Sequence, residues 1–549
     1  MTYENTYEAI FDLYNPETAW KENTTTGNRQ SLNLGYEALG RHANSSAVAL
    51  RLRDFETGDF ETYTYAELNA AANSVANYLE VHTDRAARIA VMLPARLELY
   101  AALFGTLKSG MVYVPLASVF GPDAIEYRLN DSSASIFVTE SSVLDSLDSI
   151  PDSVEYVITV DESENRSDSA TESIGVNTFE EVLEYESSYT AVDTHPNDPY
   201  ALTYTSGTTG QPKGVLKSHR SAIESYAYPA YVTDLRSDDV YFAAAPPAWS
   251  YGLIRGTIGP GLVGTAIGAY RGSFDPELLL ETFERFEVTN AMIPPTALRR
   301  IQNDSPQGYD IDLRVLVTVG ESLDAETVEW ARGYFGTTPL DGYGLTEAGM
   351  VICNYGFDDW ELKPGSMGRP VPGREVTLLD ESGNSVEQGE VGEISIRRTE
   401  SPTPIYWRRP EATLDQFTGQ WIRTGDLARK DSDGYFWYVG RADSVIVSSG
   451  YRIGPEEVEE TVRRHPVVTD VVVVGVPDEV RGEIVKAYVV TDESTTPTDD
   501  LADRIAAFTR RELSKHEYPR EIEFVEAFPT TATGKIDRNK LETREAANE

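Results

Sequence analysis

Residues 204–214 read Tyr-Thr-Ser-Gly-Thr-Thr-Gly-Gln-Pro-Lys-Gly, a run whose chemistry suits a cradle for a polyphosphate. Thr205, Ser206, Thr208 and Thr209 bring hydroxyl donors, Gly207 and Gly210 let backbone N–H groups approach closely, and Lys213 adds a cation. The spacing is not that of the phosphate loop of ordinary NTPases, which needs glycine, four residues and then Gly-Lys-Ser/Thr. Here proline precedes Lys213 and glycine follows it. Alone, such a cluster is equally well read as a surface turn. Further segments carry donors and acids. Gly320-Glu321-Ser322-Leu323 closes a valine-rich run, where α/β folds place ligand contacts. Asp341-Gly342-Tyr343-Gly344-Leu345-Thr346-Glu347 offers an aromatic face, a hydroxyl and carboxylates within seven residues. Trp421–Asp426 and Gly440-Arg441-Ala442-Asp443 supply acids and an arginine at what read as glycine-kinked turns.

These groups need a scaffold, and the pattern supplies one. Thr64 and Glu67 form a capping box ahead of Leu68, Ala71, Ala72, Val75 and Leu79 at helical spacing. A strand (Arg88–Leu93), a helix (Arg96–Lys108) and a strand (Met111–Leu116) follow as a βαβ unit, which predicts a parallel α/β sheet. Ile136–Thr139, Tyr156–Val160 and Arg314–Val319 read as more strands, and 161–173 as a polar loop. The apolar window 241–270 carries Arg255 and several glycines and prolines, so buried loops and strands explain it better than a membrane span. After Gly440 the character changes: Pro455–Pro466 has helix start and stop signals, then come strands Val471–Val474 and Ile484–Val490 and a helix near 499–513. The expected map is a large N-terminal body, 1–440, and a small α+β unit, 441–549.

At 549 residues two or more domains are expected, and 40% hydrophobic content is ample for a globular enzyme. No basic leader or apolar stretch opens the chain, and Cys353 is the only cysteine, so a reducing cytoplasm fits. The net charge of −42, with 10 lysines against 37 arginines, is spread along the whole sequence. That composition suits a salt-loaded cytoplasm and disfavours nucleic acid as a partner by sign.

Together with Pro529-Thr-Thr-Ala-Thr-Gly-Lys535-Ile-Asp-Arg538, these motifs strongly resemble the adenylate-forming superfamily of acyl-CoA synthetases, adenylation domains and luciferases, over nearly the whole chain and in the same order. Ser449–Pro455 with Glu456-Glu-Val-Glu, Val476–Ala487 and Tyr518–Phe524 look closest to the medium-chain acyl-CoA synthetases and their acetyl-CoA synthetase relatives.

The resemblance implies two half-reactions: a carboxylate attacks the α-phosphorus of Mg·ATP to give acyl-AMP, and coenzyme A then displaces AMP. By the same resemblance the 204–214 loop holds the β- and γ-phosphates, Thr346 the α-phosphate, and Glu347 binds Mg²⁺. Tyr343 stacks on adenine, with Asp341, Gly342 and the Gly320–Ser322 backbone at its edge. Asp426 accepts from the ribose hydroxyls, Arg441 assists, and Arg452 approaches the AMP phosphate. Gly450 and Tyr451 leave room for the pantetheine arm. Lys535 bridges the attacking carboxylate and the phosphate during adenylation, and the small domain rotates about Asp443 between the steps. Val447 stands where many relatives carry lysine.

Acetyl-CoA synthetases of the superfamily carry tryptophan immediately after the adenine-stacking aromatic, flooring the acyl pocket; this chain has Gly344, which predicts a medium-chain or branched acid. Trp249 matches the gating aromatic of the acyl channel, or is a fixed wall of it. An aryl-CoA, acetyl- or propionyl-CoA ligase, a carrier-protein loader, a luciferase-like oxidase and a non-catalytic AMP-binding protein remain as alternatives.

Overall fold

The computed structural model describes the chain apart from residues 1–5, 26–29, 162–173, 206–210, 322, 400–404, 443, 445, 449–450, 479–480, 493–494, 514–517, 531–535 and 547–549. It is a mixed α/β protein of two compact units. One comprises Met1–Gly207, Gln211–Glu375 and Arg397–Phe417; the other is built on Val376–Ile396 and Thr418–Glu549. The second unit thus takes in two stretches that the sequence map placed in the N-terminal body.

Two sheets organise the large unit. In the first, parallel strands run in the order Leu340–Leu345, Val315–Val319, Asn290–Met292, Val240–Ala243, Ala266–Arg271, Val48–Asp54. Gly349–Cys353 and Phe60–Thr64 flank this block antiparallel. In the second, Pro199–Tyr204, Val112–Pro115, Arg88–Met92, Ile136–Thr139, Tyr156–Thr159 and Gly175–Thr178 are parallel. Gly214–Ser218 and Ile405–Tyr406 extend that sheet antiparallel. The βαβ expectation holds: Arg88–Met92, helix Leu97–Lys108 and Val112–Pro115 form the unit. The capping box is present, with both Thr64–Glu67 bonds made ahead of helix Tyr65–His82. That helix presses on Leu97–Lys108 so closely that a Cβ on Gly105 would lie 2.6 Å from Val75. Leu68, Val75, Leu79, Leu99, Leu103 and Leu107 are core residues there.

The apolar window holds a surprise. Between strands Val240–Ala243 and Ala266–Arg271 lie Ser250–Leu253 and Gly259–Val263, flanking a π-helical turn, Ile254–Ile258. Helix replaces the expected loops, and such π-helical turns recur at functional sites.

In the second unit, Val468–Asp478 and Gly482–Thr491 form a long hairpin, extended by Ile446–Ser448 and Tyr451–Ile453 and, in parallel, by Glu521–Phe524. Helices Pro455–Arg463 and Asp499–Glu512 bury Val458, Val462, Leu501 and Ile505 against Val471, Val473, Val485 and Val489. Trp421–Asp426 and Gly440–Arg441 are not turns, as expected, but parts of paired strands, Trp421–Lys430 and Phe436–Arg441. The kinks are real all the same, with Gly425 at φ +75° and Gly440 at φ +146°.

Candidate active site

In the large unit, Thr205 directly follows strand Pro199–Tyr204, and the returning strand begins at Gly214. The Thr205 N–H donates to the Lys213 carbonyl at 3.0 Å, pinching the base of the loop. Tyr127 donates to the Pro212 carbonyl at 2.8 Å and accepts from Arg409 at 2.9 Å, anchoring the same base. Ser206, Gly207, Thr208, Thr209 and Gly210 lie outside the described residues.

Asp341–Leu345 forms most of a strand, and the turn that follows presents Thr346 and Glu347 before Gly349–Cys353 returns. Glu347 Oε1 accepts from the Tyr406 hydroxyl at 2.7 Å, and its other oxygen has no donor among the described residues. The Lys213 ammonium sits 5.2 Å from the Tyr406 ring centroid. One tyrosine therefore gathers the loop's cation on its face and the turn's carboxylate on its hydroxyl. Beneath them Lys217, 3% exposed, donates from Nζ to the Thr346 carbonyl. Burial pulls the Lys217 ammonium down to about 8, with Glu347 resisting and Arg255 and Arg374 assisting that shift. Sequence reasoning missed Lys217 and Tyr406. A scarce lysine on the Val215 face of a strand was the available signal, since alternate residues share a face.

Gly320 takes φ +105° at the end of strand Val315–Val319, a conformation that favours glycine. The Glu321 carboxylate is engaged elsewhere, by Thr296 at 2.8 and 2.9 Å and Arg299 at 3.3 Å, so the backbone is what this segment offers. Ser322 lies outside the described residues. Burial raises the Asp341 carboxyl to about 8, against a 2.8 Å bond from the Gly342 N–H. Tyr343, partly buried, lies on the same strand.

Gly344 corrects the pocket argument. It is exposed, yet a Cβ there would meet the Gly349 carbonyl at 2.6 Å and Met350 Sδ at 2.8 Å. The pairing register shifts between Tyr343 and Gly344, and that bulge brings the opposing strand in. Glycine here serves the close approach of two backbones, and the direction a side chain would take is filled by Gly349 and Met350. Trp249 precedes helix Ser250–Leu253 and meets Phe120 edge-on, with ring centroids 5.7 Å apart at 88°. Within the π-helical turn, buried Arg255 donates to the Ser225 carbonyl at 3.0 Å and lies against Gly349, whose Cβ would be 3.3 Å from its Nη2.

The second unit carries its own cluster. Asp426, 7% exposed, accepts from Tyr438 at 3.1 Å and pairs with Arg441 at 3.3 Å. Arg441 also donates to the Thr424 carbonyl at 3.1 Å. A Cβ on Gly425 would stand 3.0 Å from the Arg441 guanidinium, so glycine permits this approach. Tyr451 and Arg452 lie on a short strand opposite Ser448 and Val447. Asp443, Gly450 and Lys535 lie outside the described residues, as do the side chains of Tyr451 and Arg452. Among the described residues no group of three His, Cys, Asp or Glu forms a metal cage, and no helix is long and apolar enough to cross a membrane.

Comparison with known proteins identifies the family. Residues 37–407 match the AMP-binding enzyme family and 457–535 its C-terminal domain. The chain is 35% identical over 529 residues to acetyl-coenzyme A synthetase of Bacillus subtilis (strain 168), covering 94% of this chain and 91% of that protein. It is 33% identical over 505 residues to the human mitochondrial acyl-coenzyme A synthetase ACSM4, covering 89% and 85%. Among solved structures, a Brucella canis acyl-CoA synthetase matches at TM-score 0.75 and 32% identity over 99% of both chains. An anthranilate CoA ligase in complex with anthranoyl-AMP matches at 0.84 and 27% over 96% and 99%. The chain belongs to the AMP-binding enzyme family and is, within it, an AMP-forming acyl-CoA synthetase, an acid–thiol ligase.

Proposed function

We propose that ATP docks on the large unit, with its β- and γ-phosphates in the 205–213 loop, its α-phosphate at Thr346 and adenine against Tyr343, with Asp341, Gly342 and Gly320–Ser322 at its edge. The observation that carries this reading is the gathering of Lys213 and Glu347 on Tyr406 beside the pinched loop. One carboxylate with an oxygen unengaged among the described residues fits Mg²⁺, which is held by one or two carboxylates plus substrate phosphates rather than by a protein cage. Bound there through Glu347, Mg²⁺ would supply positive charge at the phosphates. Asp426 and Arg441 take the ribose, and Arg452 takes the AMP phosphate. Lys535 serves the attack of the acid on the α-phosphorus. Rotation of 441–549 about Asp443 then gives coenzyme A its access beside Gly450 and Tyr451. The enzyme works in the cytoplasm.

For the acid, we favour a medium-chain or branched carboxylate. No indole follows Tyr343, but Gly349 and Met350 fill the direction a side chain at 344 would take, so this reading rests on the resemblance to the medium-chain acyl-CoA synthetases and not on room at Gly344. The likeness to the anthranilate ligase supports an aryl acid as the second reading. Pyrophosphate release measured across acetate, propionate, hexanoate, octanoate, a branched acid and benzoate, in molar KCl with and without coenzyme A, separates them. Hexanoate or octanoate should exceed acetate at least tenfold in kcat/KM; a preference for acetate overturns the chain-length reading, and benzoate in first place selects the aryl alternative.

A further inference from the structure

We propose that Lys217 and Tyr406 are positioning residues that clamp the Thr346–Glu347 corner and set the posture in which the Glu347 carboxylate meets its metal. The inference rests on the reading of Glu347 as the Mg²⁺ ligand. Both residues come from the antiparallel edge of the second sheet, where Tyr406 pairs with Val215 and Ile405 with Leu216. The corner they hold belongs to the first sheet. Two hydrogen bonds thus cross between sheets onto adjacent residues of one turn.

Each bond fixes a different degree of freedom. The Tyr406 hydroxyl holds Oε1 of Glu347, which orients the carboxyl plane and leaves the other oxygen for a cation. The Lys217 ammonium holds the Thr346 carbonyl, which fixes the peptide between Thr346 and Glu347. Hydrogen-bond partners of metal ligands typically govern metal affinity by tenfold or more.

Stability alone does not account for a lysine in this place. A desolvated ammonium is costly, and Arg255 and Arg374 face it with charge of the same sign. Methionine would fill a similar volume without that cost. The Glu347 carboxylate attracts the Lys217 ammonium, so the lysine's charge is matched to the same carboxylate that Tyr406 orients.

The test uses the full-length protein and Mn²⁺ as the probe, bound in the presence of α,β-methylene-ATP and followed by electron paramagnetic resonance. Tyr406→Phe removes one oxygen, and Lys217→Met removes the ammonium; Glu347→Gln is the control. Both variants should weaken Mn²⁺ binding about tenfold or more, while affinity for the nucleotide analogue in EDTA stays within twofold. Mn²⁺ affinity within twofold of wild type in both variants, with Glu347→Gln impaired, overturns the clamp while leaving Glu347 as ligand. Lowered melting temperature with unchanged Mn²⁺ affinity likewise overturns it. Wild-type Mn²⁺ affinity in Glu347→Gln overturns the reading of Glu347 and the clamp with it.

Discussion

Asp341 is the residue whose environment departs most from its sequence reading. Burial raises its carboxyl to about 8, so the folded protein keeps a proton that the unfolded chain releases near pH 4. The corresponding stability is full below about pH 4 and is lost as pH climbs through the folded value near 8. Asp341→Asn should therefore gain melting temperature relative to wild type as pH rises from 5 to 9, in melts at constant KCl. A difference independent of pH would contradict the raised carboxyl. At this scale the motifs singled out Thr346, Glu347, Asp426 and Arg441, each of which is hydrogen-bonded or ion-paired in the fold. Lys217 and Tyr406 were not legible in the sequence, because 129 residues separate Lys217 from its carbonyl partner and 59 separate Tyr406 from Glu347. Only the meeting of two sheets reveals them.

The hairpin of Leu340–Leu345 and Gly349–Cys353 decides how far substitution at Gly344 can be taken. Because the opposing backbone stands 2.6 Å from a Cβ at 344, Gly344→Trp should distort the hairpin rather than simply shorten a pocket. Overpacking of this kind costs about 1–3 kcal/mol, so a lower melting temperature and a raised KM for ATP are expected. A variant with wild-type melting behaviour and a clean switch to acetate would restore the simple pocket picture. Elements with strong local signals were read to within a residue or two, as with strand Ile136–Thr139 and the capping box at Thr64. Segment 250–263 was misread because its glycines and Pro260 look like helix breakers. In the fold, glycine there permits contact: a Cβ on Gly252 would lie 2.1 Å from the Pro246 carbonyl, and one on Gly261 2.6 Å from that of Ala38. Tertiary approach outweighs helix propensity, and no local pattern records it.

Across the whole molecule, a net charge of −42 makes self-repulsion a term in stability. The Debye length shortens from about 10 Å at 0.1 M salt to about 3 Å at 1 M, so the melting temperature should rise between 0.1 and 3 M KCl. A flat or falling profile would contradict the reading of a protein suited to brine. The two-unit division also belongs to this scale. Sequence pattern placed a change of character after Gly440, whereas the compact second unit reaches back to Val376–Ile396 and Thr418–Lys430, since long-range strand pairing is invisible to local composition. We propose that Lys535 serves adenylation alone. The most direct test is Lys535→Ala assayed in two halves: ATP–pyrophosphate exchange with the preferred acid, and thioester formation from supplied acyl-AMP and coenzyme A. Exchange should fall about 100- to 1000-fold, with thioester formation retained; equal loss of both would contradict the division of labour.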